Sequence, residues 1–267
     1  MFGVPLITLA PVPLVLAACA TLTVSNPSPR ETRSEDNAMI ALGKGYAVLN
    51  NVWNKGATSG PYKESVFREG RPADSAVFGW EWQWPSSTNV VAYPEVIYGT
   101  KPWGPDLGTV DGLPLQIGSR NLTARFDIEL DAHGFYNMAF ELWFVSGLPP
   151  SPQKITHEIM IWNVNHYGDP AGIRVDTVTI GGVVYDVFVR EGHGDASGKN
   201  ANRWTYIAFS ARTPVLKGFL PLGSFIDYLL ARNILNRNLY ITSVELGNEI
   251  MEGDGKVRVK DYAIDLN

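Results

Sequence analysis

Along most of the chain, apolar and polar residues alternate in short runs closed by Gly, Pro or Asn, which is the spacing of strands. Asn137–Val145 is one such run, ended by Gly147-Leu-Pro-Pro150, and Thr156–Val164 is another. Val175–Ile180 and Val183–Val189 flank Gly181-Gly182 and predict a hairpin with a two-residue turn. Thr205–Ala211, Tyr240–Leu246 and Val257–Leu266 supply further strands. Between Ser224 and Leu235 the period changes: Phe225, Tyr228 and Leu229 share one helical face, with Ser224 placed as N-cap. One apolar face per strand predicts an all-β fold, two antiparallel sheets packed as a sandwich or jelly roll, with one helix outside.

The first residues follow another pattern. Val4 to Ala18 are almost all apolar, yet the run is too short for a membrane span and is broken by Pro5, Pro11 and Pro13. It reads as the apolar core of an export signal within residues 1–20, lacking a basic flank. Leu16-Ala17-Ala18-Cys19 resembles a lipoprotein box with Cys19 as the lipidated residue, the reading favoured because the single cysteine falls there, and Ala18-Cys19-Ala20 also fits ordinary cleavage. The expected destination is extracellular, either free or lipid-anchored at Cys19. Residues 21–37, polar and Pro-containing, are expected to be a flexible linker, and residues 38–267 the folded domain.

Composition narrows the partners. A net charge of −5 without a cationic run argues against nucleic acid and anionic membranes. The 8 Trp, 11 Tyr and 11 Phe exceed what turns require; most fill a core, and some are free to stack on apolar sugar faces. The single cysteine allows no internal disulfide, and the four histidines lack metal-ligand spacing. Neither metal nor cofactor is expected, and the chain is expected to act as a monomer.

Three carboxylates stand out. In Glu158-Ile-Met-Ile-Trp162, alternation places Glu158, Met160 and Trp162 on one face, so the carboxylate is partly desolvated. Glu249 follows Gly247, a position suited to close backbone approach or a bulge. Glu141, in Phe140-Glu-Leu-Trp143, can hydrogen-bond Glu158 if the two strands pair. Glu245 and Glu252 are expected on a solvated strand face. Two carboxylates on one wet, aromatic-lined face are the minimal apparatus for glycoside hydrolysis.

Taken together, several stretches resemble glycoside hydrolase family 12. They are Tyr46-Ala-Val-Leu-Asn-Asn-Val-Trp53, Ala92-Tyr-Pro-Glu-Val-Ile-Tyr-Gly99 with Pro102-Trp-Gly104, Phe140-Glu-Leu-Trp143, Glu158-Ile-Met-Ile-Trp162 and Gly247-Asn-Glu249. The resemblance implies a jelly roll with a concave cleft and a retaining endo-β-1,4-glucanase acting on cellulose-like or mixed-linkage β-glucan. It implies Glu158 as an ionised nucleophile and Glu249 as a protonated acid/base. It implies Asn51 and Trp53 on the glycone side, Met160 and Trp162 flanking the nucleophile, and Trp103 as a further cleft aromatic or a packed loop residue. Glu141 stands where the family usually has Asp, and Asn248 where many relatives have Thr or Phe.

Three other readings compete. A non-catalytic glucan-binding jelly roll would keep the tryptophans without needing both glutamates, and a xyloglucan-specific enzyme would share the whole site. Asp127-Ile-Glu-Leu-Asp131 imitates the motif of laminarinases and lichenases, but reads as the solvated face of an amphipathic strand. His193 lies in a Gly-rich loop that matches no nucleotide motif.

Overall fold

A computed structural model describes Gly3 and residues 29–70, 77–104, 110 and 112–267. The strands in chain order are β1 (Arg30–Arg33), β2 (Met39–Gly43), β3 (Tyr46–Leu49), β4 (Lys63–Glu69), β5 (Val77–Trp84), β6 (Glu95–Gly99), β7 (Leu115–Gln116) and β8 (Leu122–Val145). They continue with β9 (Ile155–Asn165), β10 (Ile173–Ile180), β11 (Val183–His193), β12 (Trp204–Ala211), β13 (Lys217–Leu220), β14 (Tyr240–Gly247) and β15 (Ile250–Leu266), and helix α1 (Leu222–Ala231) lies between β13 and β14.

The strands form a β-jelly roll. An outer sheet runs β1-β4-β5-β15-β8, with β13 on the far side of β8, and an inner sheet runs β2-β3-β6-β14-β8-β9-β12-β11-β10. Strand β8 belongs to both: its first half pairs with β15 and β13, its second half with β14 and β9. The expected strand Asn137–Val145 is therefore only the inner half of β8, and Val257–Leu266 only part of β15. Within the first half of β8, Asp127–Asp131 forms the amphipathic strand expected of it, with its acids on the outer face. Asp127 and Glu129 pair there with Lys217, Lys260 and Arg258, which places the laminarinase-like motif on the solvated side.

Three expectations need correction. Pairing is not wholly antiparallel, because β12 lies parallel to β9. The intervening hairpin β10–β11 turns at Gly181 and Gly182, both at positive φ as a two-residue turn demands, and brings the chain back in the same direction. The helix starts at Leu222 behind Pro221, whose missing N–H suits a helix start, so Ser224 lies inside it and caps nothing. Residues 30–33, placed in the linker by composition, pair with β4. Arg30 binds Glu81 and covers the Phe67 ring, Arg68 binds Glu31, and Asp36 accepts from Tyr62 and Lys55. The remainder of residues 1–28, with the export signal and Cys19, falls outside the described residues apart from Gly3.

The core between the sheets holds Trp80, Phe126, Phe140, Phe144 and Ile161. Helix α1 covers the core face of β11 and β12, where Phe225 meets Tyr185 and Phe209 edge-on. At one end of the core, buried Glu64 accepts from Trp84 Nε1 at 2.6 Å, and its Oε1 has no partner among the described residues. Burial pushes its carboxyl up to about 8. A folded-state value above the unfolded one means this group supports folding fully below pH 4.5 and withdraws that support as pH rises toward 8. Glu64→Gln should therefore gain stability relative to the parent between pH 5 and pH 8, by on the order of a few kcal/mol, as read from urea unfolding at both pH values.

Candidate active site

The face of the inner sheet turned away from the core carries the chemistry. On β9 Ile159 and Ile161 enter the sandwich, so Glu158, Met160 and Trp162 face the opposite way. The same alternation on β8 sends Phe140, Leu142 and Phe144 inward and Ala139, Glu141 and Trp143 outward. On β12, Trp204, Tyr206 and Ala208 join this floor, and on β14 Glu245 does. Registers set the neighbours: Glu158 lies beside Trp143 and Tyr206, and Glu141 beside Met160 and Glu245.

Glu249 arrives differently. It sits between β14 and β15, where the chain leaves the inner sheet for the outer one. Gly247 makes the approach feasible, since a Cβ there would lie 2.6 Å from the Pro94 carbonyl oxygen. Next to it Asn248 is fully buried, accepting from Trp80 Nε1 at 2.7 Å and donating to the Asn137 carbonyl at 2.6 Å. Asn137 in turn donates its amide to Glu249 Oε2 and accepts from the Glu249 backbone N–H at 3.1 Å. The carboxylate is thus held at both ends of its residue, and its side chain is turned to the floor.

The two glutamates act on each other. Burial pushes Glu249 up to about 7, against the opposing hydrogen bond from Asn137. Burial first, and the charge of Glu249 after it, push Glu158 up to about 8. Glu158 is opposed by the Trp204 indole N–H, which donates to Oε2 at 2.6 Å, by Glu141 and by Lys101. An ionised Glu158 beside a neutral Glu249 is therefore not a fixed state of the empty cleft. Three groups favour the anion on Glu158 and one favours it on Glu249.

Behind Glu158 lies a buried charged cluster. Lys101 Nζ is 2.8 Å from Glu95 Oε1, 2.8 Å from Glu245 Oε2 and 3.8 Å from Glu141 Oε2. The carboxylates of Glu95, Glu141 and Glu245 approach within 4.8 Å, a grouping able to hold a cation, and the Lys101 ammonium takes that place. Glu245, expected on a solvated face, is fully buried: Lys101 lies over it at 2.8 Å and Glu141 stands beside it across the strand pair. Alternation reveals which face a residue takes, not whether that face is wet.

The other expected residues gather around this floor. Trp53 packs against the apolar floor cluster that includes Met160 and Trp162. Asn51 commits its amide nitrogen to Glu95 Oε1 at 2.9 Å. Trp103 is 45% exposed and meets Trp143 edge-on at 4.5 Å, which makes it a rim aromatic next to the cross-strand neighbour of Glu158. From the β11–β12 loop, Lys199 donates to the Trp53 carbonyl at 3.0 Å. His193 packs on Tyr206 and Trp204, and burial with nearby Arg190 and Arg203 pushes it down to about 4.

Sequence reading missed Trp204, Asn137, Lys101 and Glu95. Trp204 stands one residue before the expected strand Thr205–Ala211, in alternation with Tyr206 and Ala208, and that extension was available. Glu95 is a lone acid in an apolar strand, a signal of the same kind as Glu158. Lys101 and Asn137 gave no local sign, because their partners lie on other strands.

The chain matches the family model described as glycosyl hydrolase family 12 over residues 44–267. It is 31% identical to Endoglucanase S of Pectobacterium parmentieri over 255 residues, covering 92% of this chain and 90% of that protein. It is 24% identical to a probable xyloglucan-specific endo-beta-1,4-glucanase A of Aspergillus clavatus, covering 94% of this chain and 98% of that one. Among solved structures, a family 12 xyloglucanase from Bacillus licheniformis superposes with a TM-score of 0.76 at 27% identity, covering 89% of this chain and all of that one. With the family match spanning nearly the whole described domain, the chain belongs to glycoside hydrolase family 12.

Proposed function

We propose that the protein is an endo-β-1,4-glucanase that cleaves cellulose-like or mixed-linkage β-glucan with retention of configuration. The observation that carries this reading is the meeting of Glu158, from β9, and Glu249, from the link between β14 and β15, at one aromatic-lined floor within electrostatic reach of each other. A binding module needs the aromatic floor but not two neighbouring carboxyls, one of them clamped by the side-chain amide of Asn137.

In the first step Glu158 attacks the anomeric carbon while the glycosidic C–O bond breaks, and Glu249 gives its proton to the departing oxygen. Trp204 holds Oε2 of Glu158, which leaves Oε1 for the attack. In the second step water adds to the anomeric carbon, Glu249 takes its proton, and the ester to Glu158 breaks. Trp53 and Trp103 supply faces on which glucose rings stack, with Asn51 beside them and Met160 and Trp162 packed next to the nucleophile. Glu141 orients Glu158 rather than touching the sugar. Xyloglucan is the second substrate reading, supported by the likeness to the Bacillus xyloglucanase. Export, with Cys19 available for a lipid anchor, is supported by the N-terminal sequence, and action as a monomer by the absence of any sequence feature calling for a partner chain.

Glu249→Gln should lower kcat about a hundred- to ten-thousandfold on carboxymethylcellulose in a reducing-sugar assay, Glu158→Gln at least as much, and Glu129→Gln not at all. The first-formed product should keep the β-anomer by NMR; an inverted product would overturn the two-step mechanism. Comparing rates on barley β-glucan and xyloglucan separates the two substrate readings.

The pH profile of kcat/KM should be a bell with both limbs above the ordinary carboxylate range of about 4, since burial raises both members of the pair. Trp204→Phe, which deletes a donor to the Glu158 anion, should move the acid limb further up and cost roughly tenfold in kcat/KM.

A further inference from the structure

A nucleophilic carboxylate must be ionised to attack, and a buried floor opposes that. The donors to Glu158 are therefore part of the machinery, and one of them is itself a carboxyl. Glu141 has hydrogen-bonding reach to both Glu158 and Glu245, and burial with the charge of Glu245 holds it in the neutral form that donates. What Glu141 does with its proton depends on Glu245, and Glu245 depends on Lys101.

The cluster is ordered by distance. Lys101 contacts Glu95 and Glu245 equally closely at 2.8 Å and Glu141 at 3.8 Å. Burial drives Glu95 and Glu141 well up, while Lys101 and its hydrogen-bonding neighbours hold Glu245 down, so Glu245 is the anion that balances the ammonium. Ser243 Oγ donates to Glu245 Oε1 at 2.6 Å and supports the same charge. Gly99, at φ 94°, turns the chain at the end of β6 two residues before Lys101. Asn51 shares Oε1 of Glu95 with Lys101, tying the cluster to the wall that carries Trp53.

We propose that Lys101, gripped by Glu95 and Glu245, is a positioning residue for glucan cleavage: it carries most of the counter-charge of Glu245, so that the Glu141 proton, within reach of both carboxylates, is not drawn wholly to Glu245 and still supports the anion on Glu158. This rests on the assignment of Glu158 as nucleophile. The groups facing this path are Glu95 from β6 and Tyr93 before it, Glu141 from β8, Glu245 from β14, Glu249 and Tyr262 from the β15 side, and Tyr206 from β12 with His193 of β11 behind it. Among them Lys101 supplies the cation, since burial and the arginines beside it hold His193 neutral.

Two substitutions should act in opposite directions. Lys101→Met leaves Glu245 without its counter-charge, so Glu245 draws the Glu141 proton away from Glu158. The acid limb of kcat/KM should move up by about one pH unit, a tenfold loss of rate on that limb, with the alkaline limb and KM little changed. Glu245→Gln, nearly isosteric, removes the competing anion and should move the acid limb down. Lys101→Arg, which keeps the charge, should stay near the parent.

The measurement is the pH dependence of kcat and KM on soluble β-glucan for the parent, the three variants and Glu158→Gln, with circular dichroism to confirm folding. A purely structural role would lower both variants without opposed limb shifts, and coincident limbs, or shifts in the same direction, overturn the proposal. If Lys101→Met does not fold, the direction of the Glu245→Gln shift decides. An active Glu158→Gln variant overturns the underlying assignment and the proposal with it.

Discussion

Charge buried out of water is the constraint around which this molecule is arranged. Glu95, Glu141, Glu158, Glu245 and Glu249 share one floor, and a single ammonium stands among the first two and Glu245. Unpaired carboxylates in such a place stay protonated. In the proposed cycle Glu249 gives and takes the proton and Glu158 stays the anion that attacks, while Glu95, Glu141 and Glu245 stand with Lys101 behind them. The three are sensibly read as the surroundings that set the state of the two. A surface cluster of the same composition would be weakly coupled and screened by salt, whereas a dry floor makes each proton matter to its neighbours.

The backbone makes that floor possible. Alternation places carboxylates and aromatics on one side of the inner sheet while Phe and Ile fill the other. Alternation alone would not deliver Glu249, which stands off the regular ladder. It depends on Gly247 for a close approach and on the interlocked amides of Asn137 and Asn248 for its direction. Glu249, the proposed acid/base, is thus placed by a break in pairing, and Glu158, the proposed nucleophile, by a regular stretch of β9.

Much of this was legible in the chain itself. Glu158, Met160 and Trp162 could be assigned to one face from period two, because β9 is apolar enough for the alternation to show. The hairpin at Gly181-Gly182 was legible because positive φ at two successive residues calls for glycine. The first half of β8 was legible only at Asp127–Asp131, whose alternating acids mark a solvated strand face; its length and its continuity with Asn137–Val145 were not, since Ala132-His-Gly134 reads as a break. Strand β1 was hidden for a related reason: Arg-Glu-Thr-Arg has the composition of a linker, and becomes a strand through ion pairs to β4 and β5 that no local pattern announces. Glu245 and Lys101 mark a further boundary, where the meaning of a residue lies in four segments meeting.

Strand β8, with its 24 residues, serves both sheets, and β15 runs beside it for much of that length. Neither layer can therefore melt while the other stays intact, because the same backbone carries the ladder of both. The floor has no independent existence: heat that frees the outer layer also scatters the groups that would hold a glucan. Inactivation and global unfolding should be one cooperative event, and reinforcement placed anywhere along β8 or β15, even on the convex side remote from the sugar, should lengthen the working life of the whole.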